Sequence, residues 1–191
     1  TNCVFHSNIA ETYGGGIYND SASPVITNCT FSSNTAISKG GGIYNENSSP
    51  ILTNCILWGD EAYSSKEVHD SGASAPSVEH CNIWLESGTY PGKNNINQDP
   101  AFINPSGKDF RIDLISPCID GGSNPAVPAG IISDVEGDPR ILDRRFPFWL
   151  RQVPVTNLFN GPEHQPRRLL VPALPVPRFS WMRITRFGRD S

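Results

Sequence analysis

The sequence predicts an all-β chain built as a parallel β-helix, a solenoid of 26-residue coils, followed by a small C-terminal module and a tail. Three observations predict it. A Thr-Asn-Cys block recurs at a constant interval. The apolar residues inside each copy alternate as strands do. Gly and Pro, 17 of each in 191 residues, are too many for helix interiors.

The repeat comes first along the chain. Thr1-Asn2-Cys3-Val4-Phe5 returns as Thr27-Asn28-Cys29-Thr30-Phe31 and as Thr53-Asn54-Cys55-Ile56-Leu57, 26 residues apart each time. Glu79-His80-Cys81-Asn82-Ile83 keeps that interval without the Thr-Asn pair. Self-similarity at one period is the signature of a solenoid. The apolar positions run Ile26, Cys29, Phe31, then Leu52, Cys55, Leu57, then Val78, Cys81, Ile83. Their step of two is a strand with one buried face. Their step of three inserts a residue at the Thr-Asn corner, where Asn tolerates a left-handed backbone. Further corners fall at Pro24, Pro50 and Pro76 and at the runs Gly14–Gly16 and Gly40–Gly42. Short strands joined by such corners close one turn per repeat and stack at ~4.8 Å per coil.

Stacking dictates ladders. Cys3, Cys29, Cys55 and Cys81 share one register and are expected to form an inward column. Parallel Cα–Cβ vectors suit disulfides poorly, and a line of thiols is not a tetrahedral metal site. They are expected to pack as small apolar groups, and Cys118 is expected to be buried. Asn2, Asn28 and Asn54 are expected to stack as a polar ladder bonded through their amides.

Gly-Gly-Gly-Ile at 14–17 and 40–43, with Phe-x-x-Asn from Phe5 to Asn8 and Phe31 to Asn34, resembles the paired repeats of bacterial polymorphic outer-membrane proteins and related right-handed β-helix surface proteins. The resemblance weakens beyond residue 60, where Leu57 and Asp60 fill the third Phe-x-x-Asn slot and no glycine run stands near Lys66-Glu67-Val68. Asp99-Pro100-Ala101-Phe102, Asp109-Phe110-Arg111-Ile112, Ser116-Pro117-Cys118-Ile119-Asp120-Gly121-Gly122 and Asp134-Val135-Glu136-Gly137-Asp138-Pro139-Arg140 resemble the choice-of-anchor Q module of bacterial β-helix proteins. These resemblances imply a right-handed β-helix in an extracellular, cell-surface or outer-membrane setting. The expected organisation is coils over 1–96, continuing upstream of Thr1, a module over 97–143, and a basic, Pro/Arg-rich tail over 144–191.

The tail is compositionally foreign. Residues 1–143 hold 6 Lys/Arg against 17 Asp/Glu, whereas residues 144–191 hold 9 Arg, no Lys and two acids. Seven prolines interrupt it, so disorder is expected, either in a genuine tail for an acidic partner or in out-of-frame translation following Asp143. A formal charge of −4 gives no case for nucleic-acid binding, and no apolar run reaches the ~18 residues of a membrane-spanning helix.

Outward positions carry the functional expectations. Trp58 and Trp84, 26 apart, are expected on one face, with Asp60 and Glu86 in the next outward register. Tyr18 pairs with Tyr44, and Asp20 with Glu46. Flat aromatics can stack on sugar rings. Carboxylates stacked at one coil spacing could hold Ca²⁺, or approach the separation of a retaining glycosidase pair. Lateral stacking and solubility explain the same ladders without a ligand. No cofactor is otherwise expected. The favoured function is a non-catalytic scaffold or adhesive surface that contacts polysaccharide or a host glycan, with self-association through the edge at Thr1. A polysaccharide lyase or glycoside hydrolase, and a carbohydrate-binding module without turnover, are the alternatives.

Overall fold

A computed structural model describes residues 1–131 and 133. The described residues lie within one compact unit that begins at Thr1. The expectations for residues 134–143 and for the tail over 144–191 lie outside the described residues.

The coils are those the 26-residue interval calls for. The first carries β1 (Val4–His6), β2 (Ile9–Ala10), β3 (Ile17–Asp20) and β4 (Val25–Thr27). The second carries β5 (Thr30–Ser32), β6 (Thr35–Lys39), β7 (Ile43–Glu46) and β8 (Ile51–Thr53). The third carries β9 (Ile56–Leu57), β10 (Glu61–Ser64), β11 (Val68–Ser71) and β12 (Ser77–Glu79), and β13 (Asn82–Ile83) opens a fourth. Every strand pairs in parallel with its equivalent one coil away, giving the sheets β1-β5-β9-β13, β2-β6-β10, β3-β7-β11 and β4-β8-β12. Among the described residues there is no α-helix.

The core is a set of columns. Phe5 faces Phe31, Phe31 faces Leu57 and Leu57 faces Ile83. The rings of Phe5 and Phe31 stack with centroids 4.6 Å apart and planes 3° from parallel. Ile26, Leu52 and Val78 form a second buried column. Cys29, Cys55 and Cys81 form a third, buried and unbridged, while Cys3 at the first coil is exposed.

The corners obey the left-handed requirement. Asn2, Asn28, Asn54 and His80 turn the chain with φ of 61°, 55°, 56° and 55°. The Asn column is bonded as expected between Asn54 Nδ2 and Asn28 Oδ1, at 3.1 Å. One rung earlier, Asn28 Nδ2 and Asn2 Oδ1 occupy the same donor and acceptor places without completing the bond.

The third coil departs from the period. Thr35 faces Glu61 at an offset of 26, but Lys39 faces Ser64 and Ile43 faces Val68, an offset of 25. One residue is lost after Ala62 and regained before Ser77, which faces Ile51. Lys39 and Lys66, 27 apart in sequence, are not laddered neighbours, since Lys39 faces Ser64. Glu67, immediately before Val68, takes the place held by Gly42 before Ile43.

Residues after β13 finish the solenoid. Ile96 bridges Asn82, Ile83 N–H donates to Ile96 O at 3.0 Å, and Tyr90 packs on the core. An antiparallel hairpin follows, β14 (Phe102–Asn104) and β15 (Asp109–Ile112). The chain then lies along the corner column. His80 Nδ1 meets Gly121 O at 3.1 Å, Asn54 exchanges two hydrogen bonds with Ser123, and Asn2 Nδ2 donates to Ser133 O. The ladder that turns the coils also docks this strap.

Candidate functional site

A cleft of about 220 Å³ opens on the outer surface of the third coil, lined by Trp58, Gly59, Asp60, Glu61, Lys66 and Trp84. Its tryptophans are laddered as the spacing requires: Trp58 N–H donates to Phe31 O at 3.0 Å and Trp84 N–H to Leu57 O at 3.1 Å. Both side chains are half-buried. Each follows an inward apolar residue, Leu57 or Ile83, so strand alternation turns it outward. Lys66 reaches between them. Its Nζ lies 5.3 Å from the centre of the Trp84 ring and 2.9 Å from Glu61 Oε2. The hydrogen bond to Glu61 raises the ammonium's pKa, with the charges of Glu61, Glu67 and Glu86 adding to it. One Trp84 face is thus taken by a cation, and the indole of Trp58 is the available platform. Glu86 is exposed beside it.

Asp60 is a correction. The expectation set it outward with Glu86, but it is 1% exposed and points inward. It stands 26 residues after Asn34 and inherits that residue's inward slot. The polar column runs from Asn8 through Asn34 to Asp60. Asn8 N and Nδ2 donate to Asn34 Oδ1 at 3.1 and 2.8 Å, and Asn34 N and Nδ2 donate to Asp60 Oδ1 at 2.7 and 2.8 Å. Glu67, also buried, closes the column by accepting from Gly59 N at 2.9 Å and Asp60 N at 3.2 Å. The Phe-x-x-Asn spacing contained the signal for Asp60. Glu67 and Lys66 were hidden by the deleted residue, which breaks the arithmetic of the repeat, whereas Glu61 keeps the 26-residue register with Thr35.

The tyrosine and acid pairs are laddered but occupied. Tyr18 faces Tyr44 and Asp20 faces Glu46. Tyr44 is buried rather than displayed, its ring stacked on Tyr13 at 4.5 Å and on His69 at 5.1 Å. Tyr18 Oη donates to Glu46 Oε2, which raises the phenol to about 12. Ser21 Oγ donates to Asp20 Oδ1 at 3.0 Å. These carboxylates are engaged by neighbours, and among the described residues no three His, Cys, Asp or Glu side chains gather as a metal site. A Ca²⁺ ion takes six or more oxygens, so Asp20 and Glu46 would hold one only together with backbone oxygens.

A larger cavity, about 510 Å³, lies between the corner column and the strap, with Thr30, Ile56, Lys108 and Phe110 in its walls. Much of its polar lining is already spent on holding the strap, through His80 to Gly121 O, Asn54 to Ser123 and Asn82 Nδ2 to Cys118 Sγ. The Trp58 cleft is the better candidate, since its aromatic and charged groups face solvent.

The repeat described as the Chlamydia polymorphic membrane protein repeat matches residues 2–20 and 28–46. These segments run from Asn2 to Asp20 and from Asn28 to Glu46, the same stretch of the first two coils. The first two coils are thus built of a repeat similar to that of the Chlamydia polymorphic membrane proteins. No curated protein and no solved structure matches the chain.

Proposed function

We propose that this chain is a segment of a surface-displayed β-helical repeat protein, acting as a non-catalytic scaffold whose outer face makes adhesive contacts. The repeat match carries the first part, because the family it describes is a membrane-protein family displayed at the outer membrane or cell surface. In this reading residues 97–143 follow the coils as a module of the choice-of-anchor Q kind. The laddered Trp58 and Trp84 support the adhesive part, with a carbohydrate chain as the ligand. A half-buried indole lining a cleft offers a flat apolar face to a sugar ring, and Glu61 and Lys66 supply hydrogen-bonding rims.

Contact is favoured over turnover by the carboxyl arrangement. A hydrolytic pair must have both acids open to substrate. Here Asp60 lies beneath the cleft, and Glu61 is ion-paired with Lys66. The test is a polysaccharide panel read for both retention and released chain ends. Retention without release is expected, weakened roughly 2- to 10-fold by Trp58→Ala, the range of one aromatic contact. Release of reducing or unsaturated ends would replace this reading with an enzymatic one.

A further inference from the structure

Glu67 and Asp60 are two acids buried against each other, 2% and 1% exposed, in a slot that elsewhere in the solenoid holds glycine and asparagine. Asp60 Oδ1 accepts twice from Asn34, and Glu67 Oε1 accepts from Gly59 N and Asp60 N. No N–H or O–H reaches the remaining oxygens, Asp60 Oδ2 and Glu67 Oε2, although both are buried. The two carboxyl groups share one slot: Glu67 Oε1 lies 3.2 Å from Asp60 N, and a Cβ on Gly42, whose place Glu67 takes one coil on, would lie 2.7 Å from Asp60 Oδ2. Two acceptors can bond only if one of them carries a proton.

The column explains why the proton is needed. In the first two coils the next rung's Oδ1 accepts from the backbone N–H of Asn8 or Asn34, and the Asn side chain supplies its own Nδ2–H. The third coil has no fourth inward amide to receive Asp60 N–H, because Glu86 is exposed. Glu67 reaches back and takes that bond. Asp60 has an oxygen where Asn has Nδ2 and so offers no N–H; the donor must be a proton carried by one of the two acids. Gly42 makes room: a Cβ there would lie 2.7 Å from Asp60 Oδ2.

We propose that Asp60 and Glu67 hold one shared proton as the terminal clasp of the solenoid's polar column, fastening the Trp58–Gly59–Asp60 corner in acid and loosening it in alkali. The proton sits on Glu67 Oε2 and is donated to the Asp60 carboxylate; deprotonation leaves two facing anions. Burial first, and the charge of Asp60 second, push Glu67 from its ordinary 4.5 up to about 10, and burial raises Asp60 as well. The charged groups around the pair are Glu61 beside Asp60, Lys66 beside Glu67 and paired with Glu61, and Glu86 on the following coil. The facing residues of the second coil, Asn34 and Gly42, are uncharged. A carboxyl whose folded pKa is raised stabilises the fold fully below its unfolded value and loses that contribution as pH climbs through the folded one.

The test is thermal melting of the full chain at pH 5 and pH 9. Glu67→Gln copies the protonated acid, so it should match the wild type at pH 5 and melt several degrees higher at pH 9. Asp60→Asn supplies an Nδ2–H to an ionised Glu67 and should also melt at or above the wild type at pH 9. The double variant sets two amide N–H groups against each other and should melt below either single variant. Simple repulsion between two ionised acids would instead make the double variant the most stable. That order, or a Glu67→Gln difference that is the same at both pH values, overturns the proposal. Neither readout depends on the cleft's binding a glycan.

Discussion

Each buried thiol of the solenoid points its hydrogen back to the carbonyl two residues earlier: Cys29 to Thr27 at 3.3 Å, Cys55 to Thr53 at 3.4 Å and Cys81 to Glu79 at 3.2 Å. The left-handed corner residue between donor and acceptor folds the chain enough to allow it. Cys29 is raised chiefly by its contact with Cys55 and then by burial, and Cys55 chiefly by burial. Burial also raises the half-buried Cys118. Since the thiolate is the reactive form, a maleimide pulse on the native protein at pH 7 should label the exposed Cys3 first. Cys29, Cys55 and Cys81 should react only as fast as the coils open, as read by peptide mass spectrometry. Labelling of Cys55 as rapid as that of Cys3 would contradict the inward column. The column was legible in the sequence because small apolar residues at one period have a single inward solution. Asp60 was not, because its charge argued for solvent while its register argued for the core. Register prevailed, since Glu67 supplied a partner that spacing alone does not show.

At the scale of the element, the glycine runs are sites where neighbouring backbones nearly touch. A Cβ on Gly15 would sit 2.4 Å from Gly41 O and 2.7 Å from Thr35 O, both main-chain atoms that cannot swing aside. Overpacking of this sort costs ~1–3 kcal/mol, and in a chain of 191 residues each kcal/mol is worth roughly 2–4 °C of melting temperature. Gly15→Ala should therefore lower the melting temperature by about 2–12 °C. Gly121→Ala, whose Cβ would meet Cys118 O at 3.3 Å as its nearest neighbour, should lower it less. Equal melting of the two variants would show that the coils have slack at Gly15. Strand placement was readable from alternation and the 26-residue interval in every coil. The one-residue slip between Ala62 and Ser64 was not. The third coil has neither the glycine run nor the Phe-x-x-Asn pair that marks the register elsewhere, so nothing local reveals where the residue is dropped.

At the scale of the whole molecule, the two ends of the solenoid differ in how their hydrogen-bonding edges are met. At the far end, Ile96 and Lys93 run beside β13, Asn95 Nδ2 donates to Val78 O at 2.9 Å, and Glu67 closes the polar column. At the near end, β1 to β4 are the outermost strands of their sheets, and among the described residues no strand pairs with their other side. Ile9 on that edge is 81% exposed and Val25 63%. Asn8, at the head of the buried column, is exposed too. An edge of unpaired N–H and C=O groups, flanked by apolar side chains, is a template for strand addition. At the far end the cover lies over β12 and β13, whereas β10 and β11 are themselves outermost strands among the described residues, so association need not stop at pairs. Sedimentation velocity over a hundredfold concentration range should then show concentration-dependent self-association. Ile9→Lys combined with Val25→Lys places two charges on each facing edge and should shift the equilibrium at least tenfold toward monomer, with the effect weakening in high salt as charge repulsion is screened. A wild-type sedimentation coefficient that is independent of concentration would show that the near edge is protected. Association that stops at dimers would place it at the near edges alone, and open-ended polymers would show that β10 and β11 accept an incoming strand as well.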